Sequence, residues 1–204
     1  MKTLLLTGFA PWDCYDRNAS WELLRGQEGV AAEGWQVRTL EVPVSWERAW
    51  PVVADAWDDS VRAMVAFGQA EDDEIRIERF AVNAASSKAV DVDGAKFAAP
   101  WIIPGADHAL HTRLPWQRLE RALADASLPV RTSLHAGDYL CNHLFYRILH
   151  RIEHERASVT GGFVHVPTLA RMPLEQLVAA RRVFVASLLE HVEIAQRARS
   201  AVVP

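Results

Sequence analysis

The 204-residue chain has only two cysteines, Cys14 and Cys141. They could pair, but free thiols are the default in a reducing compartment. Long apolar runs are also missing, and the apolar stretch in the opening residues MKTLLLTGFAPW is too short for a signal peptide or a membrane span. We therefore expect a cytoplasmic protein that does not bind membranes.

The chain has no excess of basic residues, since 22 Lys and Arg stand against 26 Asp and Glu, a formal net charge of -4. Nucleic-acid-binding domains usually carry a basic patch, so we expect no nucleic acid partner. The GxSxG, P-loop and GxGxxG motifs are missing from the sequence as well. We therefore expect no cofactor.

Apolar residues make up 50% of the chain, which is enough for a substantial core. Apolar runs alternate with helical patterns, from KTLLLTGF near the start to PLEQLVAARRVF near the end. This alternation predicts the α/β fold class, as a three-layer α/β/α domain around a twisted, mostly parallel open sheet. We interpret residues 1–204 as a single domain with a long loop at about 84–115, where periodicity is weak.

Four candidate site positions fall where predicted strands end. Phe9, Gln69, Gly137 and His165 lie at or near such ends, and open α/β sheets place their sites there. The segment EIRIERFAVN predicts a strand pair or an extended excursion.

The stretch AGDYLCNHLFYRILHRIEHE predicts an amphipathic helix that carries Cys141 on its apolar face, in line with Phe145 and Ile148. The sulfur should therefore point into the domain. Gly137 and Asp138 predict a turn and an N-cap, and a helix start would favour a thiolate. A buried free cysteine is usually inert, so position alone leaves a nucleophile and a core residue as alternatives.

A cysteine nucleophile needs a base and a group that orients the base. Of the eight histidines, His165 in the strand pattern GGFVHVP is the best placed, whereas His143 lies on the opposite side of the helix from Cys141. Glu78 lies in a mostly apolar extended segment. A semi-buried histidine and a surface glutamate paired with a neighbouring arginine are the structural alternatives.

His150, Glu153 and His154 form an HxxEH pattern, which is also found in inverted metalloproteases. On this helix they share a polar face with His143 and Arg147, so solvation explains them. We expect no metal site there.

Taken together, these segments resemble pyroglutamyl peptidase I, or pyrrolidone carboxyl peptidase, a family of cysteine exopeptidases that remove N-terminal pyroglutamate (5-oxoproline). The similar blocks occur in the same order nearly end to end. TGFAPWDC, NASW, GQA, IRIERFAVN, AGDYLCNHLFY and GFVHVPTLA resemble the family's TGFxPFGG, NPSW, GQA, ISLERVAIN, AGTYVCNHLMY and GFIHVPYLP.

The resemblance implies a hydrolase of the thiol protease class with Cys141 as nucleophile, His165 as general base and then acid, and Glu78 orienting His165. The reaction would pass through a Cys thioester, and the partners would be peptides with an N-terminal pyroglutamate. The resemblance also implies a homo-oligomer, a tetramer in many members.

The family's substrate pocket is aromatic, which suits a flat lactam ring. By resemblance, Phe9, Trp12, Tyr139 and Leu140 would bind the substrate, and Gln69 would present its backbone to the lactam. Plain core packing is the alternative for Phe9, Trp12 and Leu140.

The chain departs from the family pattern near the implied site. Lys88 replaces an arginine that assists near the oxyanion, and Asp138 replaces a neutral threonine. Other changes are Asp13 and Cys14 in place of a double glycine, and Glu71, Asp72 and Asp73 in place of GGR. The alternative function is a divergent, weakly active or inactive relative that acts on another small amide or as a binding or assembly protein.

Overall fold

The computed structural model describes residues 1–85, 89–155 and 158–200. The first half holds β1 (Lys2–Phe9), α1 (Ala19–Glu22), β2 (Gly29–Ala32), β3 (Trp35–Val42), α2 (Ala49–Ala56), β4 (Val61–Ala70), β5 (Ile75–Glu78) and β6 (Phe80–Val82). The second half holds β7 (Ala109–His111), α3 (Trp116–Asp125), β8 (Val130–Ser133), α4 (Leu140–Glu155), β9 (Thr160–Pro167) and α5 (Leu174–Ser200).

The main sheet has the strand order β2-β3-β1-β4-β9-β5-β8. The pairs β3 with β1, β1 with β4, β4 with β9 and β5 with β8 are parallel, while β2 with β3 and β9 with β5 are antiparallel. The predicted mostly parallel sheet is therefore confirmed. EIRIERFAVN is extended over both β5 and β6, but these two strands do not pair with each other, since β5 lies in the main sheet and β6 forms a separate antiparallel pair with β7. Of the two predicted forms, the segment is therefore the extended excursion.

Side chains of the central strands alternate between two cores, one on each face of the sheet. In β1, Leu5 belongs to the core under α2 and α4, whereas Leu4 and Leu6 belong to the core under α1, α3 and α5. This alternation follows from the two-residue period of a strand. The three-layer α/β/α arrangement is confirmed. No helix within the described ranges combines the length and apolar character needed to cross a membrane.

Two elements differ from the sequence patterns. NASWELLRG yields a helix of only 4 residues, with Asn18 Oδ1 accepting the N–H of Ser20 at 3.1 Å as its N-cap. The edge strand β2 is not indicated by the sequence, because GVAA is short and shows no alternation. It pairs with β3 across a turn at Gly34, where φ is 79°.

The long loop after β6 is held by buried polar side chains rather than by regular structure. Asn83 accepts the N–H of Ile103 and donates to its carbonyl, at 2.9 and 2.8 Å. Asp91 accepts three backbone N–H groups, including that of Trp46 at 2.9 Å. The loop is thereby fixed over the connection between β3 and α2, close to the start of α4.

Candidate active site

A buried histidine and a buried carboxylate meet on the neighbouring strands β9 and β5. His165 Nδ1 lies 2.7 Å from Glu78 Oε1, and the two residues are 4% and 0% exposed. A carboxylate can only accept, so the imidazole carries its proton on Nδ1 and donates it to Glu78. Nε2 is then left as the basic nitrogen of His165.

Cys141 is the second residue of α4, and its sulfur lies against β4 beside this pair. A Cβ atom added at Gly68 would lie 2.9 Å from Cys141 Sγ, and Gly68 is the residue of β4 that pairs with His165. Only a glycine leaves room for the thiol there. Among the described residues, Sγ makes no hydrogen bond to His165, and catalytic hydrogen bonds commonly shorten only when substrate binds.

The thiol and the imidazole are both neutral at rest. Burial raises the pKa of Cys141 to about 12, and the charge of Glu78 acts in the same direction. Burial lowers the pKa of His165, although Glu78 opposes that shift. The prediction of a favoured thiolate is wrong, because the loss of hydration outweighs the charge of Arg76 and the hydrogen bond from the backbone of Cys141.

Glu78 is not a surface glutamate, but it does have an arginine neighbour. Arg76 Nε lies 3.3 Å from Glu78 Oε1, and Arg76 Nη1 lies 3.3 Å from Asp72 Oδ2. The guanidinium balances the charge of a carboxylate that would be costly to bury alone. Glu78 Oε2 has no hydrogen-bond partner among the described residues, so the other oxygen holds both contacts.

The start of α4 differs from the prediction. Gly137 makes the expected turn with φ 82°. Asp138 is exposed, and its carboxylate makes no hydrogen bond within the described part of the chain. The N-cap prediction for Asp138 is wrong, because α4 begins at Leu140 and the N–H of His143 reaches the carbonyl of Tyr139 at 3.1 Å.

Two of the predicted substrate residues form an aromatic rim next to Cys141. The rings of Trp12 and Tyr139 are 5.0 Å apart, and the Tyr139 hydroxyl donates to the carbonyl of Val90 at 2.9 Å. Both aromatic residues are partly exposed. A cavity of about 310 Å³ lies beside Trp12 and is lined in part by Trp12, Gln69 and Thr168.

Of the other three predicted substrate residues, two are buried and Gln69 is partly exposed. Phe9 and Leu140 are 3% and 1% exposed, in the core under α2 and α4. Gln69 lies near the end of β4, and its Oε1 accepts the N–H of Ala19 at 2.8 Å. The Gln69 side chain therefore holds α1 against the sheet. Lys88 lies outside the described residues.

Asn142 is a residue of the site that the sequence argument missed. It is 0% exposed, its Oδ1 accepts the N–H of Val82 at 2.9 Å, and its Nδ2 donates to the carbonyls of Val82 and Ala84. The residue after Cys141 thus ties the helix start to the strand that leads into the long loop. Its signal in the sequence is a polar residue inside an otherwise apolar part of the helix.

The predicted polar face of α4 is partly buried. His143 is 1% exposed, its ring meets those of Trp46 and Phe97 at 5.5 and 5.4 Å, and its Nε2 accepts from Arg147 at 3.3 Å. The prediction that His143 is solvated is wrong, because the long loop covers this side of the helix. His154 is exposed as expected.

The acidic run after Gln69 is neutralised by arginines. Glu71 and Asp73 each accept from Arg171 at 2.8 Å, and Asp72 accepts from Arg131 at 2.6 Å. The extra negative charge expected beside the pocket is therefore balanced locally. This removes one reason for expecting a different substrate.

Comparisons with known proteins agree with this geometry. The family model described as pyroglutamyl peptidase matches residues 1–201. A pyrrolidone-carboxylate peptidase of Klebsiella pneumoniae (strain 342) is 34% identical over 171 residues, which cover 83% of this chain and 79% of the relative. One from Cupriavidus taiwanensis is 33% identical over 202 residues, which cover 93% of this chain and 94% of the relative.

Solved structures give the same result. The crystal structure of pyroglutamyl peptidase I from Bacillus amyloliquefaciens superposes with a TM-score of 0.88 at 26% identity, over 94% of this chain and 98% of that one. Pyrrolidone carboxyl peptidase from Thermococcus litoralis gives a TM-score of 0.86 at 27% identity, over 96% of each chain. The resemblance noted in the sequence blocks is confirmed, and the chain belongs to the pyroglutamyl peptidase family.

Proposed function

We propose that this protein is a cysteine exopeptidase that hydrolyses the amide bond after an N-terminal pyroglutamate, with Cys141, His165 and Glu78 as its catalytic residues. The observation that supports this most directly is the 2.7 Å contact between His165 Nδ1 and Glu78 Oε1 beside the half-buried Cys141. A nucleophile, a base and an oriented carboxylate are the three parts that acyl transfer to sulfur requires.

The first half of the reaction transfers the acyl group to sulfur. His165 Nε2 takes the proton of Cys141 as Sγ attacks the carbonyl carbon, forming a tetrahedral oxyanion. The oxyanion collapses, the C–N bond breaks, and the proton on His165 passes to the leaving amine. The pyroglutamyl group is then held on Cys141 as a thioester.

The second half releases the pyroglutamate. His165 removes a proton from water as the water oxygen attacks the thioester carbonyl, and the proton then returns to the Cys141 sulfur as the C–S bond breaks. Glu78 keeps its contact with Nδ1 throughout and stabilises the imidazolium each time that it forms. Free pyroglutamate then leaves, and the former thioester carbonyl is now its carboxylate group.

The neutral resting state of the site suits this order of events. A thiol whose pKa is raised to about 12 keeps its proton until a base takes it during attack. His165 is held neutral by burial and is therefore ready as a base. Proton transfer and attack are thus coupled, as they are in a serine triad.

Substrate recognition is proposed for the residues around the sulfur. Backbone N–H groups near Cys141, assisted by Lys88, would stabilise the oxyanion. The lactam ring would lie among five residues, with the aromatic side chains against its faces and the backbone of Gln69 at its amide. These residues are Phe9, Trp12, Gln69, Tyr139 and Leu140.

The wider setting belongs to the same proposal. Residues 1–204 would act as one catalytic domain, with the long loop at about 84–115 serving substrate binding or assembly. The substrates would be peptides with an N-terminal pyroglutamate, and the protein would work in the cytoplasm as a homo-oligomer, with a tetramer as the expected state.

Hydrolysis of a pyroglutamyl chromogenic amide by the reduced protein tests the proposal. We expect turnover that Cys141→Ala abolishes and that Cys14→Ala, at the exposed cysteine, leaves intact. The proposal fails if the folded, reduced protein gives no turnover or if Cys141→Ala is as active as the parent. A panel of other blocked amides tests the substrate, because a preference for another small lactam would contradict the assignment.

A further inference from the structure

A second large cavity lies on the opposite face of the sheet from Cys141, between the β2–β3 hairpin and residues 181–197 of α5. Its volume is about 920 Å³. Trp35 and Val37 of β3 and Val185 and Leu189 of α5 give it an apolar floor. These residues belong to the core on the α5 face of the sheet, whereas Cys141 packs against the core on the opposite face.

Arg181 of α5 is a buried cation on the wall of this groove. It is 8% exposed, and its Nε is buried without a hydrogen-bond partner among the described residues. Its guanidinium makes no ion pair with any described residue either. Burial lowers the pKa of Arg181, and the neighbouring charge of Arg182 acts in the same direction.

Two of the three acidic residues of the groove are committed to other partners. Glu193 binds Lys2 and accepts from Trp35 Nε1 at 2.7 Å, and Glu190 pairs with Arg118. Glu33 is exposed on the turn between β2 and β3. Arg182 and Arg197 add two more cations to the lining.

We propose that this groove binds an organic anion, a carboxylate with an apolar body. The carboxylate pairs with the Arg181 guanidinium, which presents a planar fork suited to it, and the body lies on Trp35, Val37 and Leu189. Burying an arginine without a counter-charge is unfavourable, and a bound anion removes that cost. The volume is within the range of about 300–1,000 Å³ that small-molecule sites occupy.

Thermal unfolding with simple ligands tests the site. Sodium benzoate is the probe, benzamide is its neutral counterpart, sodium phosphate supplies an oxyanion without an apolar body, and NaCl matches the ionic strength. We expect benzoate to raise Tm by about 2 °C or more at concentrations several times its Kd, and the other three solutes to have little effect.

Variants separate this groove from the active site, which could also bind benzoate. Arg181→Met should lose the benzoate shift, melt at the same or a higher temperature without ligand, and hydrolyse the pyroglutamyl amide normally. Arg181→Gln repeats the test if the Met variant does not fold. Arg182→Gln is the matched control, because Arg182 is exposed on the same helix and should keep most of the shift.

Three results would overturn the proposal. The first is a benzoate shift that persists in both Arg181 variants, and the second is phosphate stabilising the protein as well as benzoate does. The third is a Tm that rises with protein concentration without ligand in the parent but not in Arg181→Met, which would place a second copy of the chain on Arg181. Failure of hydrolysis alone would leave the groove untouched, so the two proposals fail separately.

Discussion

Two buried histidines accompany Cys141, and they differ in the charged group that contacts the imidazole ring. His165 on β9 and His143 on α4 are 4% and 1% exposed, and burial lowers the pKa of both, that of His143 to about 3. The neighbour of His165 is the carboxylate of Glu78, whereas the neighbour of His143 is the guanidinium of Arg147.

This difference decides what each imidazole can do. At His165, Glu78 accepts from Nδ1, so Nε2 is free to take a proton and the resulting cation is stabilised. At His143, Nε2 accepts from Arg147, so the proton lies on Nδ1, which has no partner among the described residues. A second proton there would sit beside a cation. Burial alone therefore keeps both imidazoles neutral, and the contact with the Glu78 carboxylate is what allows His165 to accept a proton.

The largest expected effect separates the two histidines directly. His165→Ala should lower kcat/KM for the pyroglutamyl amide by roughly 10³-fold or more, because it removes the proposed base. His143→Phe should stay within about fivefold of the parent, since His143 only packs between Trp46 and Phe97. Equal losses in two folded variants would contradict the comparison.

The next effect tests whether the carboxylate is what distinguishes His165. Glu78→Gln should lower kcat by roughly 10²- to 10⁴-fold, because a neutral amide stabilises the imidazolium poorly and permits the wrong tautomer. Glu74→Gln is the control, since Glu74 lies on the exposed side of the same segment and pairs with Arg131 at 3.2 Å. A Glu78→Gln variant with near-parental kcat would show that burial of His165 is sufficient for its activity and that the carboxylate is not needed.

A smaller loss is expected from Gly68→Ala, which moves the thiol without removing any catalytic group. The new methyl would lie 2.9 Å from Cys141 Sγ and 2.8 Å from Phe163 Cζ. We expect kcat/KM and the rate of iodoacetamide labelling to fall together by roughly 10- to 100-fold, with about 1–3 kcal/mol lost from the free energy of unfolding. A variant that melts early but labels and turns over normally would contradict the close approach of Cys141 to β4.

Much of this arrangement can be predicted from the sequence. The strand patterns around Phe9, Gln69 and His165 place all three at the same edge of the sheet, because parallel strands end together. The family resemblance pairs Glu78 with His165, and the structure places their side chains 2.7 Å apart. Local periodicity and the similar sequence blocks are therefore enough to predict which strands and which residues form the site.

The errors arise where distant chain segments decide the environment. His143 looks solvated from its helix face alone, and Phe97, in a loop with little periodicity, covers it. Asp138 looks like an N-cap, but the helix starts two residues later. The pKa of Cys141 depends on how completely the fold removes water from the thiol, which no local pattern reports.

The last expected effect leaves activity unchanged and concerns stability in acid. An unfolded histidine takes up a proton below about pH 6.5, whereas His143, with its pKa lowered to about 3, does not. The free energy of unfolding should therefore fall as the pH drops from about 6.5 towards 3, by up to about 1.4 kcal/mol per pH unit for this residue. Burial lowers the pKa of His165 as well, although Glu78 opposes that shift, so its contribution to the pH dependence has the same sign. Urea unfolding at several pH values between 4 and 7 should show a shallower acid decline in His143→Phe than in the parent, while His154→Gln, at an exposed position, keeps the parental slope. Parallel slopes in His143→Phe and the parent would mean that His143 is protonated in the folded protein despite Arg147, and the contrast between the two histidines would be lost.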